Sequence, residues 1–313
     1  MKRHWFTRPV ILTLALCALP LALGVSCAPN EAAADKIVVA VTILPQAEFV
    51  EAVGGDKVSV AVMIPPGASP HSYEPTPAQM TELAQAMIYA KVGSGIEFEL
   101  AWMDDLIALN DEMLVVDCAQ GVELRAMTDD HDHEHDAANH EHEPEEAGHD
   151  HTGFDPHIWM SPRNAQIMVQ NIASGLIQVD PASRAYYEQS RDTYLEKLTR
   201  LDQGIRDSLS GVENRVFMVY HPSFGYFADR YDLTMLPVEA EGKEPTPAGL
   251  QHVIEQAKEH NIRVVFAEPQ FNPKSAGVIA DAIDGQVILI DPLARDYIAN
   301  LDAILDKLVL AME

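Results

Sequence analysis

Short apolar runs alternate with amphipathic segments along the chain after residue 36. The runs at residues 37–42, 58–64, 87–92 and 113–117 have the length and β-branched content of buried strands. Segments with helical spacing of apolar residues separate them. This alternation predicts an α/β fold with a mostly parallel sheet and helices on both of its faces.

The same alternation begins again after Gly211, with predicted strands at 216–220, 234–238, 264–268 and 287–290. The peptide EPTPA, at residues 74–78, recurs at residues 244–248. In both copies a threonine precedes a proline, which predicts a capped helix start, and Gln79 completes a capping box in the first copy only. We therefore expect two similar lobes, at residues 36–178 and 214–313.

A long amphipathic helix is predicted between the lobes, at residues 181–211. Asp180 and Pro181 supply a capping side chain and a first-turn proline. A helix of this length spans roughly 45 Å, more than one lobe needs, so we expect it to bridge the two. Its apolar face at helical spacing comprises Ala185, Tyr186, Leu195, Leu198, Leu201 and Ile205.

The N-terminus has the pattern of an export signal. Basic residues precede an apolar run at 10–25, and small residues precede Cys27. A membrane span is the alternative for this run, but its basic flank and N-terminal position favour a cleaved signal at residues 1–26. Residues 24–27 resemble a bacterial lipoprotein box, in which Cys27 would be lipidated, although Leu23 lies four residues before the cysteine rather than three. Ordinary signal-peptidase cleavage is the alternative.

Composition indicates a globular protein and argues against a nucleic-acid partner. The acidic excess favours cations as ligands, but solubility alone explains most of that excess. Apolar residues make up 47% of the chain, and 48 acidic residues against 21 basic ones give a formal net charge of -27. Outside the signal region only Cys118 remains, so no disulfide framework is expected, and Cys118 itself is interpreted as a small buried apolar residue.

The composition changes abruptly at residues 129–151, here called the acidic histidine loop. It contains almost nothing apolar, so we expect a disordered surface loop inserted in the first lobe. A solvated acidic linker would account for its carboxylates but not for its histidines, which favours accessory capture of zinc, nickel or copper. These histidines are His131, His133, His135, His140, His142, His149 and His151.

Three further histidines, His71, His157 and His221, occur in predicted connections between strands and helices. In open α/β sheets, ligands bind at the carboxyl ends of strands, where such connections lie. Each histidine alone could simply stabilise a turn beside its neighbouring proline. Together, three imidazoles would form a nitrogen site suited to zinc.

A carboxylate is expected as the fourth metal ligand. Asp291 and Glu268 each stand directly after a predicted strand, where either could bind the metal or instead cap the following helix. Glu239 and Glu241 are weaker candidates for the same position.

The sequence resembles the zinc- and manganese-binding solute-binding proteins of bacterial and archaeal metal ABC transporters. The matching stretches span nearly the whole chain after the signal: residues 64–77 (IPPGASPHSYEPTP), 155–159 (DPHIW), 221–227 (HPSFGYF), 266–271 (FAEPQF) and 290–293 (IDPL).

The resemblance implies that His71, His157 and His221 are the histidine ligands, and that Asp291 is the carboxylate ligand. In some zinc-type members of the family, water or another acid takes that fourth position, and Glu268 would then support the site by hydrogen bonding. Manganese-type members often have Glu where His221 stands, so this histidine and the acidic histidine loop favour zinc over manganese.

The resemblance also implies two α/β lobes joined by one long helix, with the metal in the cleft between them. We expect an exported monomer, periplasmic or lipid-anchored on the outer face of the cell membrane, that delivers zinc to a membrane permease. A secreted zinc hydrolase, with Glu268 as its general base, and a surface adhesin are the competing hypotheses. No His-Glu-x-x-His signature supports the hydrolase, and an adhesin does not explain three convergent histidines.

Overall fold

Two parallel four-stranded sheets organise the computed structural model, which describes residues 36–127, 153–239, 243–272 and 274–312. The first sheet has the strand order β2-β1-β3-β4. In it, Val39 of β1 pairs with Val60 of β2 and with Ile88 of β3. Its strands are β1 (Ile37–Val41), β2 (Val58–Val62), β3 (Ile88–Lys91) and β4 (Leu114–Asp117).

The second sheet repeats this topology with the order β6-β5-β7-β8. In both sheets the first strand of the set lies inside, the second flanks it on one side, and the third and fourth follow on the other. The expectation of two similar parallel α/β halves is thus confirmed. The strands are β5 (Val216–Val219), β6 (Thr234–Pro237), β7 (Val264–Ala267) and β8 (Gln286–Leu289).

Helices connect the strands and cover the sheets. The Thr76 side chain accepts a hydrogen bond from the backbone N–H of Gln79 in a capping box, and Thr246 caps its helix without a box, as the sequence predicts. The α-helices in the described residues are α1 (Leu44–Gly54), α2 (Pro77–Leu83), α3 (Glu97–Ala108), α4 (Pro162–Val179), α5 (Arg184–Leu209), α6 (Gly225–Tyr231), α7 (Pro247–Glu259), α8 (Lys274–Ala282) and α9 (Tyr297–Met312).

Helix α5 is the long helix that the sequence predicts. It contains 26 residues, which corresponds to roughly 39 Å. The predicted start at Pro181 differs from the structure, because Pro181–Ser183 form a separate 3₁₀ turn before the α-helix begins. Helix α5 packs against α1 and α4 of the N-terminal half and against α6 and α9 of the C-terminal half. It therefore contacts both halves of the protein.

One large buried apolar cluster extends from the first sheet through α4, α5 and α9 to one face of the second sheet. A smaller cluster covers the other face of the second sheet beneath α7 and α8. Cys118 is fully buried and unbonded to another cysteine, as its apolar surroundings in the sequence predict. Among the helices described, none is both long and apolar enough to span a bilayer. The predicted signal at 1–26 lies outside the described residues.

Candidate metal centre

Three histidines from separate parts of the chain converge at the carboxyl ends of the strands. His71 lies in the connection between β2 and α2, His157 in the connection between β4 and α4, and His221 follows β5. The Nε2 atom of His221 is 3.1 Å from Nε2 of His71 and 3.2 Å from Nε2 of His157. One nitrogen of each ring lies within 4.8 Å of both others. The structure thus brings together the three histidines that the sequence singles out.

Each histidine ring is held at its other nitrogen by a carboxylate. Nδ1 of His71 is 2.9 Å from Oε1 of Glu97 in the first turn of α3. The remaining two contacts join His157 Nδ1 to Asp155 Oδ1 at 2.8 Å and His221 Nδ1 to Glu239 Oε2 at 3.0 Å. Because a carboxylate accepts a hydrogen bond from Nδ1–H, it fixes the tautomer in which Nε2 carries a free lone pair.

The Nε2 atom of His221 lies at the distance from each of the other two Nε2 atoms that a tetrahedral metal requires. Zinc-nitrogen bonds of about 2.0–2.1 Å at tetrahedral angles place two ligand nitrogens about 3.3 Å apart. The observed separations of 3.1 and 3.2 Å are close to that value. Three lone pairs pointing at one another repel unless a cation lies between them, so the arrangement fits a divalent metal bound by three neutral imidazoles.

The three histidines differ in how far their side chains are exposed to solvent. His157 and His221 are buried, whereas the His71 side chain is 27% exposed and forms the solvent side of the cluster. Burial, together with the neighbouring His157 and His71, lowers the pKa of His221 to about 4 against the opposing effect of Glu239. His221 is therefore neutral at pH 7 and available as a metal ligand.

Two of the carboxylates beside the histidines, Asp155 and Glu97, have a lowered pKa and are ionised at neutral pH. Burial opposes ionisation of Asp155, but its contacts with His157 and Arg125 outweigh burial and lower the pKa of the carboxyl. The pKa of Glu97 is lowered in the same way by His71, against the effect of burial. The negative charges of Asp155 and Glu97 thus lie beside the histidine rings, where they compensate the charge of a bound cation.

Arg125 connects this site to the C-terminal half. Its guanidinium lies 3.4 Å from Oδ2 of Asp155 and donates at 2.9 Å to Asp229 of α6. The hydroxyl of Tyr226 donates to the carbonyl of Asp155 and accepts from the backbone N–H of Arg125. Helix α6 begins at Gly225, where a Cβ atom would overlap Asp155 Oδ2 and lie 2.7 Å from Arg125 Nη1. Gly225 therefore allows α6 to approach the carboxylate that holds His157.

Asp291 lies outside the cluster of ligand nitrogens. Its Oδ1 accepts hydrogen bonds from Nε2 of Gln270 at 2.8 Å and from the backbone N–H of Leu293 at 2.9 Å. Its carbonyl accepts from Asn300 at the start of α9. Asp291 thus stabilises the turn after β8, six residues before α9 begins at Tyr297, and it does not cap that helix as the alternative interpretation expected.

Glu268 is buried beneath His221 and does not belong to the ligand cluster either. Its Oε2 accepts from the backbone N–H of His221 at 3.2 Å, and its Oε1 accepts from Ser223 at 3.4 Å. Burial raises the pKa of Glu268 to about 8. Glu268 therefore positions the His221 loop through its backbone.

The remaining candidates lie outside the described residues: the seven histidines of the acidic histidine loop and Cys27.

Sequence reasoning missed most of the groups around the histidines. Glu97 stands 26 positions after His71 in a region without a metal-binding pattern, so nothing in the sequence connects the two. The sequence does indicate a role for Asp155, because this residue precedes His157 by two positions and can hydrogen-bond both the backbone and the ring of His157. Gln270 and Phe271 line the same small pocket as the histidines, and the Phe271 ring stacks on His221 at 4.6 Å.

Comparison with known proteins identifies relatives along nearly the whole chain. Residues 39–311 match the family described as ZnuA, zinc-uptake complex component A, periplasmic. The high-affinity zinc uptake system protein ZnuA of Bacillus subtilis (strain 168) is 30% identical over 291 residues, which cover 88% of this chain and 88% of that protein. The zinc-binding protein AdcA of Streptococcus pyogenes serotype M3 (strain ATCC BAA-595 / MGAS315) is 26% identical, and the match covers 91% of this chain and 56% of AdcA.

Solved structures show the same architecture. A crystal structure of ZnuA superposes with a TM-score of 0.80 at 37% identity, covering 89% of this chain and all of that one. A ZnuA mutant lacking residues 138–173 of its own sequence, described as zinc-bound, superposes with a TM-score of 0.79 at 37% identity. That match covers 89% of this chain and 99% of the mutant.

Proposed function

Because the chain belongs to the family of periplasmic zinc-uptake complex component A, we propose that it captures zinc outside the cytoplasm and delivers it to the membrane permease of an ABC importer. The ligands in this proposal are His71, His157 and His221. The observation that supports it is the convergence of three histidine side chains, each of which also contacts a carboxylate through its Nδ1 atom.

The donor set favours zinc over manganese as the cargo. Imidazole nitrogen suits zinc, nickel and copper, whereas manganese prefers carboxylate and water oxygen. The three carboxylates beside the cluster each contact a histidine Nδ1, so they orient the histidines and do not act as the oxygen ligands that manganese prefers. A manganese transporter of the same fold is the alternative, and comparative metal titration decides between the two.

The exported state of the protein belongs to the same proposal. The residue pattern at 1–27 supports a cleaved signal and lipid attachment at Cys27. We place the protein in the periplasm or on the outer face of the cell membrane, as a monomer, with the acidic histidine loop collecting metal weakly.

The relatives are solute-binding proteins rather than enzymes. The proposed function has no catalytic step, and the placement of Glu268 agrees with this. Both oxygens of its carboxylate accept hydrogen bonds, from the His221 backbone and from Ser223, and so serve to position the loop that carries His221.

The test is calorimetric titration of the metal-free protein with zinc, manganese, nickel and copper. We expect one tight zinc site and several weaker ones in the full-length mature chain. Deletion of residues 129–151 should remove the weak sites and leave the tight one. Absence of a tight site in the loop-deleted protein would contradict the proposal.

Two point variants complete the design. His157→Ala should lose more than about 100-fold in zinc affinity, because it removes a ligand rather than a group beside a ligand. His260→Ala is the matched control, since His260 lies at the end of α7 outside the ligand cluster, and it should bind zinc like the parent protein. Zinc-dependent hydrolysis of ester or peptide substrates, lost in His157→Ala, would instead favour an enzyme.

A further inference from the structure

Two buried side-chain oxygen atoms in the described residues lack a hydrogen-bond partner, namely Oε2 of Glu97 and Oε1 of Gln270. Both residues lie beside the histidine cluster. Oε1 of Glu97 already holds His71, so this carboxylate has a role at the site. Gln270 contacts none of the histidines by hydrogen bond, and its position requires another explanation.

The orientation of the Gln270 amide is set by Asp291. Nε2 of Gln270 donates to Oδ1 of Asp291 at 2.8 Å, and a second donor, the backbone N–H of Leu293, holds that same carboxylate oxygen. Because a carboxylate accepts and cannot donate, the amide nitrogen must face Asp291 and the amide oxygen must face away from it. The Gln270 side chain, meanwhile, lines the pocket that contains His71, His157 and His221.

A buried amide oxygen without a partner is unfavourable, so the pocket is suited to a ligand that donates a hydrogen bond. A water molecule bound to a metal is such a ligand, because its lone pair is used by the metal and both of its hydrogens remain to be donated. A carboxylate or another anion in the same position would bring a second acceptor against Oε1 and would be repelled.

We propose that Gln270 positions the fourth ligand of the bound metal, a water molecule, by accepting a hydrogen bond from it through Oε1. Asp291 holds the amide in the orientation that presents this oxygen. This inference rests on the proposed function, because it takes the three histidines as the other ligands. The exchangeable neutral ligand leaves one coordination position at which a receiving site can begin to replace the protein's own ligands.

The test uses cobalt(II), whose visible absorption reports its ligands, and azide, an anion that replaces bound water. Azide should bind the cobalt-loaded parent protein weakly. In Gln270→Met, which keeps a side chain of similar length without the acceptor, azide should bind about 3- to 10-fold more tightly, as expected for the loss of one hydrogen bond. Zinc should dissociate from this variant faster by a similar factor.

The matched control is Gln251→Met, which alters an exposed glutamine of α7 whose Nε2 bonds Glu255. It should leave azide affinity and zinc dissociation unchanged. A purely structural role for Gln270 would alter folding stability without a selective gain in azide affinity, and that result would overturn the inference. Failure of azide to bind either protein would overturn it as well, because the fourth position would then hold no exchangeable water.

The experiments distinguish a failure of the proposed function from a failure of the role given to Gln270. If the parent protein has no tight metal site, or if His157→Ala binds zinc equally well, the proposed function is wrong. If the parent binds zinc, His157→Ala does not, and Gln270→Met behaves like the parent towards azide, only the role of Gln270 is wrong.

Discussion

Asp155 holds His157 at two points. Its Oδ1 accepts from the backbone N–H of His157 at 2.9 Å and lies 2.8 Å from the ring Nδ1. Both side chains are buried, so water does not compete for these contacts. One carboxylate oxygen therefore fixes both the backbone and the ring of a proposed ligand.

Removing the charge of this carboxylate should weaken metal binding without removing a ligand. We expect Asp155→Asn to lower zinc affinity by about 10- to 100-fold, the usual effect of altering a partner of a metal-bound histidine. Competition with a chromophoric chelator measures the change. Asp229→Asn is the control, because Asp229 also contacts Arg125 but is largely exposed, and it should have little effect. Equal affinity losses in the two variants would contradict the role given to Asp155.

Gly225 should not tolerate a side chain. In Gly225→Ala the new Cβ would overlap Asp155 Oδ2 and crowd Arg125, so we expect destabilisation of about 1–3 kcal/mol together with weaker zinc binding. Gly204→Ala is the matched control in a helix, since no atom lies within 4 Å of its added Cβ. It should stabilise the protein by up to about 1 kcal/mol. Urea unfolding and zinc competition together measure both effects, and a Gly225→Ala protein as stable as the parent would refute the steric argument.

Asp291 should matter little to zinc affinity in spite of its position after β8. In Asp291→Asn the remaining amide oxygen still accepts from Gln270 and from the Leu293 backbone, so we expect affinity within about 3-fold of the parent. A loss as large as that of His157→Ala would identify Asp291 as a direct ligand. Chelator competition under identical conditions makes the comparison.

Asp202 should contribute stability that depends on pH. Burial opposes its ionisation, but two hydrogen bonds from Arg230 and one from Tyr231 outweigh burial and lower the pKa of Asp202 in the folded state. A lowered folded-state pKa gives stability that is complete above the unfolded value of about 4 and is lost as the pH falls through the folded value.

The variant Asp202→Asn should therefore be about 1–3 kcal/mol less stable than the parent between pH 6 and 8. The difference should shrink as the pH falls below about 4. Asp207→Asn, an exposed position on the same helix, should show almost no difference at any pH. A constant Asp202→Asn effect across the whole range would exclude ionisation as its cause.

Element positions followed closely from local sequence pattern. All eight predicted strands are found within one or two residues of their observed bounds, because buried β-rich runs bounded by polar residues have few alternatives. Helix α6 was missed, since it has only seven residues, five of them buried, and is too short to show an amphipathic period.

At the site, the histidines were predictable because each stands beside a proline in a strand-to-helix connection. Among their carboxylate partners, Asp155 had a signal in the sequence, Glu239 was only a weaker candidate for the fourth ligand, and Glu97 had no signal. Glu97 and Glu239 reach the site only because α3 and the end of β6 pack beside it, and that proximity is a property of tertiary structure. Gln270 belongs to the family-like stretch 266–271, but nothing in that stretch identifies its amide as part of the site. The amide becomes informative only when its oxygen is found buried and unpartnered.

The three proposed ligands are separated by 86 and 64 positions in the sequence, and they belong to both repeated halves of the fold. A metal ion held by all three would act as a removable cross-link that closes two long loops. Loading would then raise the free energy of unfolding by mass action, in proportion to the logarithm of the free metal concentration. The melting temperature of the carrier would report its cargo, and a protease that attacks unfolded chains would remove empty carriers before loaded ones.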